Sequence, residues 1–218
     1  MTRAGDGMEN FPAGVGSIKV TVYLAEGTLS GLSSLAPYFT GELKRAKADN
    51  MADTCGLDRR TAAARRARWE LQKEQLRRAG QLFDSRRALV TAGLVQVITE
   101  RGWDRQDLPA VPGQSRGRWV GSANFGFSEQ LSVDLPADLV VRAKAGCYHV
   151  SRPATDALHK WHERNPGATQ TRPNRPGCDP YEYAEYTRLA AQVLTTGRIW
   201  RDAVKTGVAM AQALSAPS

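Results

Sequence analysis

The chain has 218 residues, of which 41% are hydrophobic and 24% are charged, a composition that excludes wholesale disorder. Its formal net charge of +8 favours a polyanionic partner such as nucleic acid or an acidic surface. The sequence contains no apolar run near the roughly 20 residues of a membrane span, and its first residues lack the apolar core of a secretory signal, so we expect a cytoplasmic protein.

The chain begins with a leader and an alternating strand. Residues 1–16 are rich in glycine, and we expect them to be flexible. In the segment SIKVTVYL, residues 17–24, apolar and polar residues alternate, which predicts a half-buried β-strand. Its polar face consists of three residues: Lys19, Thr21 and Tyr23.

Helices are predicted next. A weak helical pattern at 29–48, interrupted by a proline and two glycines, precedes the strongest one, at 58–79. Asp58 is the expected N-cap of this second helix and Gly80 its expected stop. Apolar residues recur there at every seventh position, as a narrow stripe suited to packing on one neighbour: Ala62, Trp69, Leu76 and Phe83. Ser85 is then expected to cap a mostly apolar, buried helix, SRRALVTAGLVQVITERGW.

A segment rich in proline, glycine and serine divides the chain. Residues 106–118 have the composition of a linker between a unit at 17–105 and a second unit at 119–218. The second unit starts with an irregular strand at 119–127, and a strictly alternating strand at 129–135 follows. The polar face of this last strand consists of Gln130, Ser132 and Asp134.

The rest of the second unit is predicted to be helical. Pro136 can start one helix, and Ser151 can cap another that has Pro153 in its first turn. Prolines forbid a continuous helix at 165–180, and residues 181–214 form either one last helix or two that are broken near Gly197. The expected fold is therefore α+β and predominantly helical, with short strands paired into a small ribbon or sheet and helices on one face.

The two strand-helix units form a weak internal repeat. VTVYLAE matches LSVDLPADL at its apolar positions, and SRRALVTAGL is similar to SRPATDAL. This pattern resembles the ribbon-helix-helix family of DNA-binding proteins, which includes small bacterial and phage repressors, antitoxins and plasmid control proteins. In that family two strands pair into a ribbon that enters the major groove. The chain departs from the family by a long insertion between Leu24 and Ser85.

The resemblance implies a site and a partner. The base-reading side chains would be Lys19, Thr21 and Tyr23 in the first unit, and Gln130, Ser132 and Asp134 in the second. Ser85 and Arg86 would lie at a helix start whose backbone N–H groups clamp a phosphate. The partner would be DNA, bound by a homodimer or by an intrachain pseudo-dimer. The protein would be a regulator or accessory factor of a plasmid, phage or other mobile element, in a bacterium with a GC-rich genome.

A cluster of basic residues at 59–87 supports the same partner. Helical spacing keeps several of its guanidinium groups on a shared side, at about the repeat that follows a phosphate backbone. The arginines predicted to contact DNA are Arg59, Arg60, Arg65, Arg66, Arg77, Arg78, Arg86 and Arg87. An alternative interpretation is a solvated helix face with ion pairs one turn apart. A second alternative is a protein-interaction module, in which the apolar stripe docks a partner helix and the arginines meet an acidic surface.

Other chemistry is less well supported by the sequence. Three cysteines are an odd number, so a disulfide framework is not expected. The cysteine and histidine residues of the second unit match no known zinc spacing, and whether they bind a metal stays open: Cys147, His149, His159, His162 and Cys178. The sequence contains no phosphate-binding glycine loop and no nucleophile elbow, so we expect neither an enzyme nor a cofactor.

Overall fold

The computed structural model describes residues 16–51, 57–112, 126–166 and 179–215. Within these ranges the chain forms two strands and seven helices: β1 (Ser17–Leu24), α1 (Thr28–Ser34), α2 (Ala36–Met51), α3 (Arg59–Arg78), α4 (Arg86–Glu100), β2 (Glu129–Pro136), α5 (Ala137–Arg164), α6 (Pro180–Gln192) and α7 (Thr196–Ser215). The expected α+β, mostly helical fold is confirmed. None of the helices in the described ranges combines the length and the apolar character needed to span a bilayer.

The two strands pair with each other in one antiparallel sheet. A lone strand leaves its backbone N–H and C=O groups without partners, and pairing satisfies them. The register places Val20 opposite Val133 and Thr21 opposite Ser132. One face of the sheet is buried by apolar side chains from both strands: Val20, Val22, Leu24, Leu131, Val133 and Leu135. The two halves of the chain are therefore joined by their strands.

Two crossing helices cover the buried face of the sheet. α4 packs against β2 and α7 packs against β1, and the two helices also pack closely on each other. Because α4 lies between the sheet, α3 and α7, it is buried on nearly all sides, as its apolar sequence predicted. Residues of both sequence units, such as Leu94 and Ile199, belong to one hydrophobic cluster.

The caps predicted for α3 and α4 are confirmed. The Asp58 carboxylate accepts hydrogen bonds from the backbone N–H groups of Arg60 and Thr61, at 2.9 and 3.1 Å. A hydrogen bond from the Thr61 side chain, together with these backbone donors, lowers the pKa of Asp58. The Ser85 hydroxyl accepts from the backbone N–H of Ala88 at 3.2 Å. Gly80 ends the turn after α3 with φ +65°, a conformation that glycine adopts without strain.

The prediction that Ser151 caps a separate helix was wrong. α5 runs without interruption from Ala137 to Arg164, and both Ser151 and Pro153 lie inside it. The Ser151 hydroxyl instead accepts from the backbone N–H of Leu194 at 2.8 Å and donates to the Leu194 carbonyl at 3.1 Å. A long-range partner therefore uses the side chain that the sequence assigned to a local cap. The segment SRPATDAL therefore lies in the middle of α5 and does not begin a helix of its own.

The other helix predictions need smaller changes. The weak pattern at 29–48 corresponds to two helices, α1 and α2, which are separated at Leu35, whereas Gly31 and Gly41 lie inside them. At the C-terminus the chain forms two helices, and they are separated at 193–195, just before Gly197. The leader up to residue 15, the linker residues 113–118 and the irregular strand at 119–125 lie outside the described residues.

A second, smaller cluster joins the end of α5 to α6. Trp161 is fully buried there, and its indole N–H donates to the carbonyl of Glu182 at 2.8 Å. Leu158, Tyr186 and Leu189 pack around it. Asp179 caps α6 by accepting from the backbone N–H of Tyr181 at 2.9 Å. This pair of helices is thus stabilised by its own core beside the main one.

Candidate nucleic-acid interface

The outer face of the sheet presents six polar side chains in two rows. β1 contributes Lys19, Thr21 and Tyr23, and β2 contributes Asp134, Ser132 and Gln130, each opposite its partner in that order. Five of the six side chains are exposed, and that of Tyr23 is half-buried. The register centres this face on Thr21 and Ser132, whose hydroxyl oxygens lie 3.4 Å apart. The structure thus brings together all the base-reading candidates that the resemblance implied, around an approximate two-fold centre.

The charges on this face balance across the strands. Lys19 lies directly opposite Asp134, and the other four positions are neutral. Such a surface offers both donors and acceptors, as the edges of base pairs do in the major groove. It attracts a polyanion weakly by itself, because its net charge is zero. Any strong attraction for a polyanion must therefore come from positive charge elsewhere in the molecule.

The first half of α3 provides positive charge. Its arginines are exposed at five positions: Arg59, Arg60, Arg65, Arg66 and Arg68. Of the predicted stripe, Trp69 is buried and Ala62 is half-buried, and the spacing of a helix places Arg65 and Arg66 one turn before Trp69, beside the stripe. Since Trp69 is only 7% exposed and Phe83 is fully buried, the stripe packs within this chain. We refer to these five exposed arginines as the arginine face of α3.

The second half of α3 uses its arginines for attachment to the core. Arg77 makes a two-pronged contact with Asp84, with Nε–Oδ1 at 2.9 Å and Nη2–Oδ2 at 2.6 Å. Arg78 contacts Asp138 in the same manner, at 2.8 and 3.0 Å. Burial lowers the pKa of Arg77, but the hydrogen bond and charge of Asp84, with a smaller effect of Glu74, outweigh burial and raise it. Both guanidinium groups are mostly buried, with 14% and 16% of their side chains exposed.

The start of α4 has a mixed environment. Arg86 is exposed, and its Nη2 donates to the Ser33 hydroxyl of α1 at 3.0 Å. Arg87 lies 3.7 Å from Glu74, and its Nε has no hydrogen-bond partner among the described residues. The Ser85 hydroxyl also donates to Asp84 at 3.1 Å. Arg86 is thus the exposed cation at this helix start, and the charge of the nearby Asp84 is offset by Arg77.

The carboxylate of Glu129, which the sequence analysis did not single out, connects the start of β2 to α1. Glu129 accepts from the backbone N–H of Gly27 at 2.9 Å and from that of Leu29 at 2.7 Å. These donors belong to the first turn of α1, where a negative charge is favourable. The contact fixes α1 beside the ribbon. Its partners are about 100 positions apart, so no local pattern could have indicated them.

The candidate metal ligands lie apart from one another. Cys147 is fully buried in the main core, and burial raises the pKa of its thiol to about 12. His149 contacts the carbonyl of Pro109 at 3.1 Å, His159 is exposed, and His162 packs beside Trp161 and Tyr186. Cys178 lies outside the described residues. Within the part of the chain that the structure describes, no group of three potential ligands gathers at one point.

Comparisons with protein families, with curated proteins and with solved structures each find no match for this chain.

Proposed function

We propose that this protein binds double-stranded DNA, with the outer face of its β1–β2 ribbon in the major groove and the arginine face of α3 on the phosphate backbone. The observation that carries the proposal is the register, which aligns Lys19, Thr21 and Tyr23 with Asp134, Ser132 and Gln130 on an open face. The opposite face is buried on helices, so the ribbon is a rigid, supported element. The major groove is wide enough for a two-stranded ribbon.

Three side chains on this face match the hydrogen-bonding groups of particular bases. Lys19 can donate to the acceptor atoms of guanine, and Gln130 can pair with the donor and acceptor atoms of adenine. Asp134 can accept from the amino group of cytosine. Because one chain supplies both strands, a monomer is a complete binding unit. The two strands carry different side chains, so the two halves of the DNA site would differ in sequence.

The phosphate contacts come from two regions. Arg59, Arg60, Arg65, Arg66 and Arg68 of α3 supply a row of exposed cations, and Arg86 lies at the start of α4. Arg77 and Arg78 are held by carboxylates, so we assign them to positioning α3. Arg87, which is near Glu74, is a weaker candidate. The arginine row provides sequence-independent affinity, and the ribbon provides the sequence preference.

The broader role follows from the resemblance described above. We assign the protein to the cytoplasm and to regulation or accessory functions of a plasmid, phage or other mobile element. The competing interaction module is less favoured, because the apolar stripe that would dock a partner helix is used within the chain by Trp69 and Phe83. If the arginine face binds an acidic protein instead, that protein should co-purify with a chain that carries no DNA.

The test measures affinity for a DNA site selected from random sequences and for a random duplex, at two salt concentrations. We expect log K to fall with log salt, with a slope of about 0.9 per phosphate contact. Replacing Lys19, Thr21 and Tyr23 together by Ala should lower the ratio of specific to random affinity. Replacing Arg66 and Arg68 by Gln should weaken both affinities alike and reduce the salt slope by about 2.

A matched control removes the same charge from two other helices. Arg152→Gln with Arg188→Gln changes two exposed arginines of α5 and α6, and it should leave both affinities within about two-fold. Absence of binding at low salt, or binding that salt does not weaken, would contradict the proposal. An unchanged specificity ratio in the triple variant would show that the ribbon does not read bases. Co-purification of an acidic protein with DNA-free chain would favour the interaction module.

A further inference from the structure

A cavity of about 440 Å³ opens beside the end of the ribbon. Its walls come from the end of β1, from α1, from α7 and from the residue Phe127 before β2. The apolar part of the wall consists mainly of Leu24, Leu32, Phe127, Val204 and Val208. A volume of this size falls in the range of pockets that hold small organic molecules, which is roughly 300–1,000 Å³.

The polar part of the wall is dominated by two cations. Arg201 and Lys205 lie one turn apart on α7 and both line the cavity. The guanidinium of Arg201 lies over the ring of Phe127, 3.9 Å from its centre. Among the described residues, no carboxylate lies within ion-pair distance of either side chain. Asp202, whose charge acts on Arg201 from further away, forms its ion pair with Arg101 at 3.3 Å. A guanidinium that packs over an aromatic ring can still donate from the N–H groups at its edge.

We propose that this cavity binds a small molecule with an apolar body and a single carboxylate group. The carboxylate would accept a two-pronged hydrogen bond from Arg201, with Lys205 as a second cation at the mouth. The apolar body would lie against Leu32, Val204 and Val208. This charge arrangement selects anions, because Asp202 is the single acid among the described residues of the wall and it is already paired with Arg101.

The cavity lies where α7, α1 and one end of the ribbon meet. A molecule bound there contacts the end of β1 through Leu24 and contacts α1 through Leu32. α1 is itself held to the start of β2 by Glu129. The ligand would therefore bridge α7, α1 and one end of the ribbon, and it would stabilise the folded chain by mass action. Binding of such a ligand requires no DNA.

The experiment uses the full chain and two probes, decanoate and 2-naphthoate, with 1-decanol as the uncharged counterpart of the first. Calorimetric titration should give a 1:1 complex for at least one carboxylate, together with a rise in the unfolding temperature. Arg201→Gln should weaken that complex by about 10- to 100-fold, the usual effect of losing a charge-assisted hydrogen bond. 1-Decanol should bind Arg201→Gln and the unaltered chain alike.

Two pairs of variants locate the complex. Arg198→Gln removes an exposed arginine one turn earlier on α7 and should bind the probe normally. Gly31 lines the cavity and a Cβ there would meet nothing within 4 Å, so Gly31→Leu should fill the space and weaken binding. Gly41 of α2 has the same open surroundings away from the cavity, and Gly41→Leu should not affect binding. Failure of both carboxylates to bind overturns the proposal, as does equal binding by Arg201→Gln and Arg198→Gln or unchanged binding by Gly31→Leu.

Discussion

Gly93 of α4 and Gly207 of α7 meet backbone to backbone where the two helices cross. A Cβ atom on Gly93 would lie 2.7 Å from the backbone nitrogen of Gly207 and would clash with the carbonyl of Ala203. A Cβ atom on Gly207 would clash in turn with the backbone of Leu89. Backbone cannot move aside as a flexible side chain can, so the separation of α4 and α7 depends on both glycines.

The first prediction concerns this crossing. Gly93→Ala or Gly207→Ala should lower the free energy of unfolding by about 1–3 kcal/mol, because the helices must separate to admit a methyl group. Chemical denaturation monitored by circular dichroism measures the change. Gly41→Ala is the control, and it should stabilise the chain by up to about 1 kcal/mol, since its Cβ meets nothing and alanine favours a helix. A neutral effect at both crossing glycines would contradict the close contact.

The second prediction concerns the pairing of the strands within one chain. Val22 is fully buried beneath the sheet, and Val22→Asp should cost several kcal/mol, enough to unfold a marginally stable protein. Because both strands share one core, helices from both halves should unfold together. Thr21→Asp, on the exposed face, should stay folded. The unfolding midpoint of the unaltered chain should not change with protein concentration, and a concentration-dependent midpoint would indicate pairing between two chains.

The third prediction concerns pH and follows from the buried thiol of Cys147. Burial raises its pKa from 9.0 to about 12, so the folded state holds this proton more tightly than the unfolded state does. The resulting stability is fully present below pH 9 and is lost as the pH rises towards 12, at up to about 1.4 kcal/mol per pH unit.

Comparison with Cys147→Ala isolates this effect from other groups that titrate at high pH. Below pH 9 the difference in unfolding free energy between the two proteins should be constant, and above pH 9 it should shift in favour of the variant. Urea denaturation at several pH values measures this difference. A difference that stays constant up to pH 11 would show that the thiol is not protected by the core.

The fourth prediction concerns the buried hydroxyl of Ser151. Ser151→Ala leaves the backbone N–H of Leu194 without its acceptor and should lower the free energy of unfolding by about 1–3 kcal/mol. Thermal and urea denaturation measure the loss. Ser30→Ala changes an exposed serine of α1 and should stay within about 0.5 kcal/mol of the unaltered chain. Equal changes in unfolding free energy for Ser151→Ala and Ser30→Ala would contradict the hydrogen bond between Ser151 and Leu194.

Several elements of the fold could be predicted from the sequence because their causes are local. Strict alternation of apolar and polar residues at 17–24 and 129–135 gives each strand one buried and one exposed face. This holds whichever element packs on the buried face. Asp58 and Ser85 cap the helices that follow them, since each carboxylate or hydroxyl satisfies backbone donors two or three residues away. The six polar residues of the proposed ribbon face were identified for the same reason.

The exposure and the ion-pair partners of the arginines could not be predicted from the sequence. A run of basic residues predicts positive charge, but it does not distinguish exposed Arg66 from Arg78, which reaches Asp138 on another element. Partners of this kind are brought together by the packing of α3 against the core. Only the folded chain therefore separates the arginines that can meet a phosphate from those that hold the helix in place.

The sequence by itself determined the strands, the capped helices and the polar face, because periodicity and capping act over a few residues. The tertiary structure decided that β1 pairs with β2 around Thr21 and Ser132, and that α7 is the helix that crosses α4. It also decided that Ser151 binds the backbone of Leu194 rather than capping a helix. A serine hydroxyl satisfies a near or a distant backbone donor equally well, and only the packing of α5 against the segment before α7 brings the distant donor within reach.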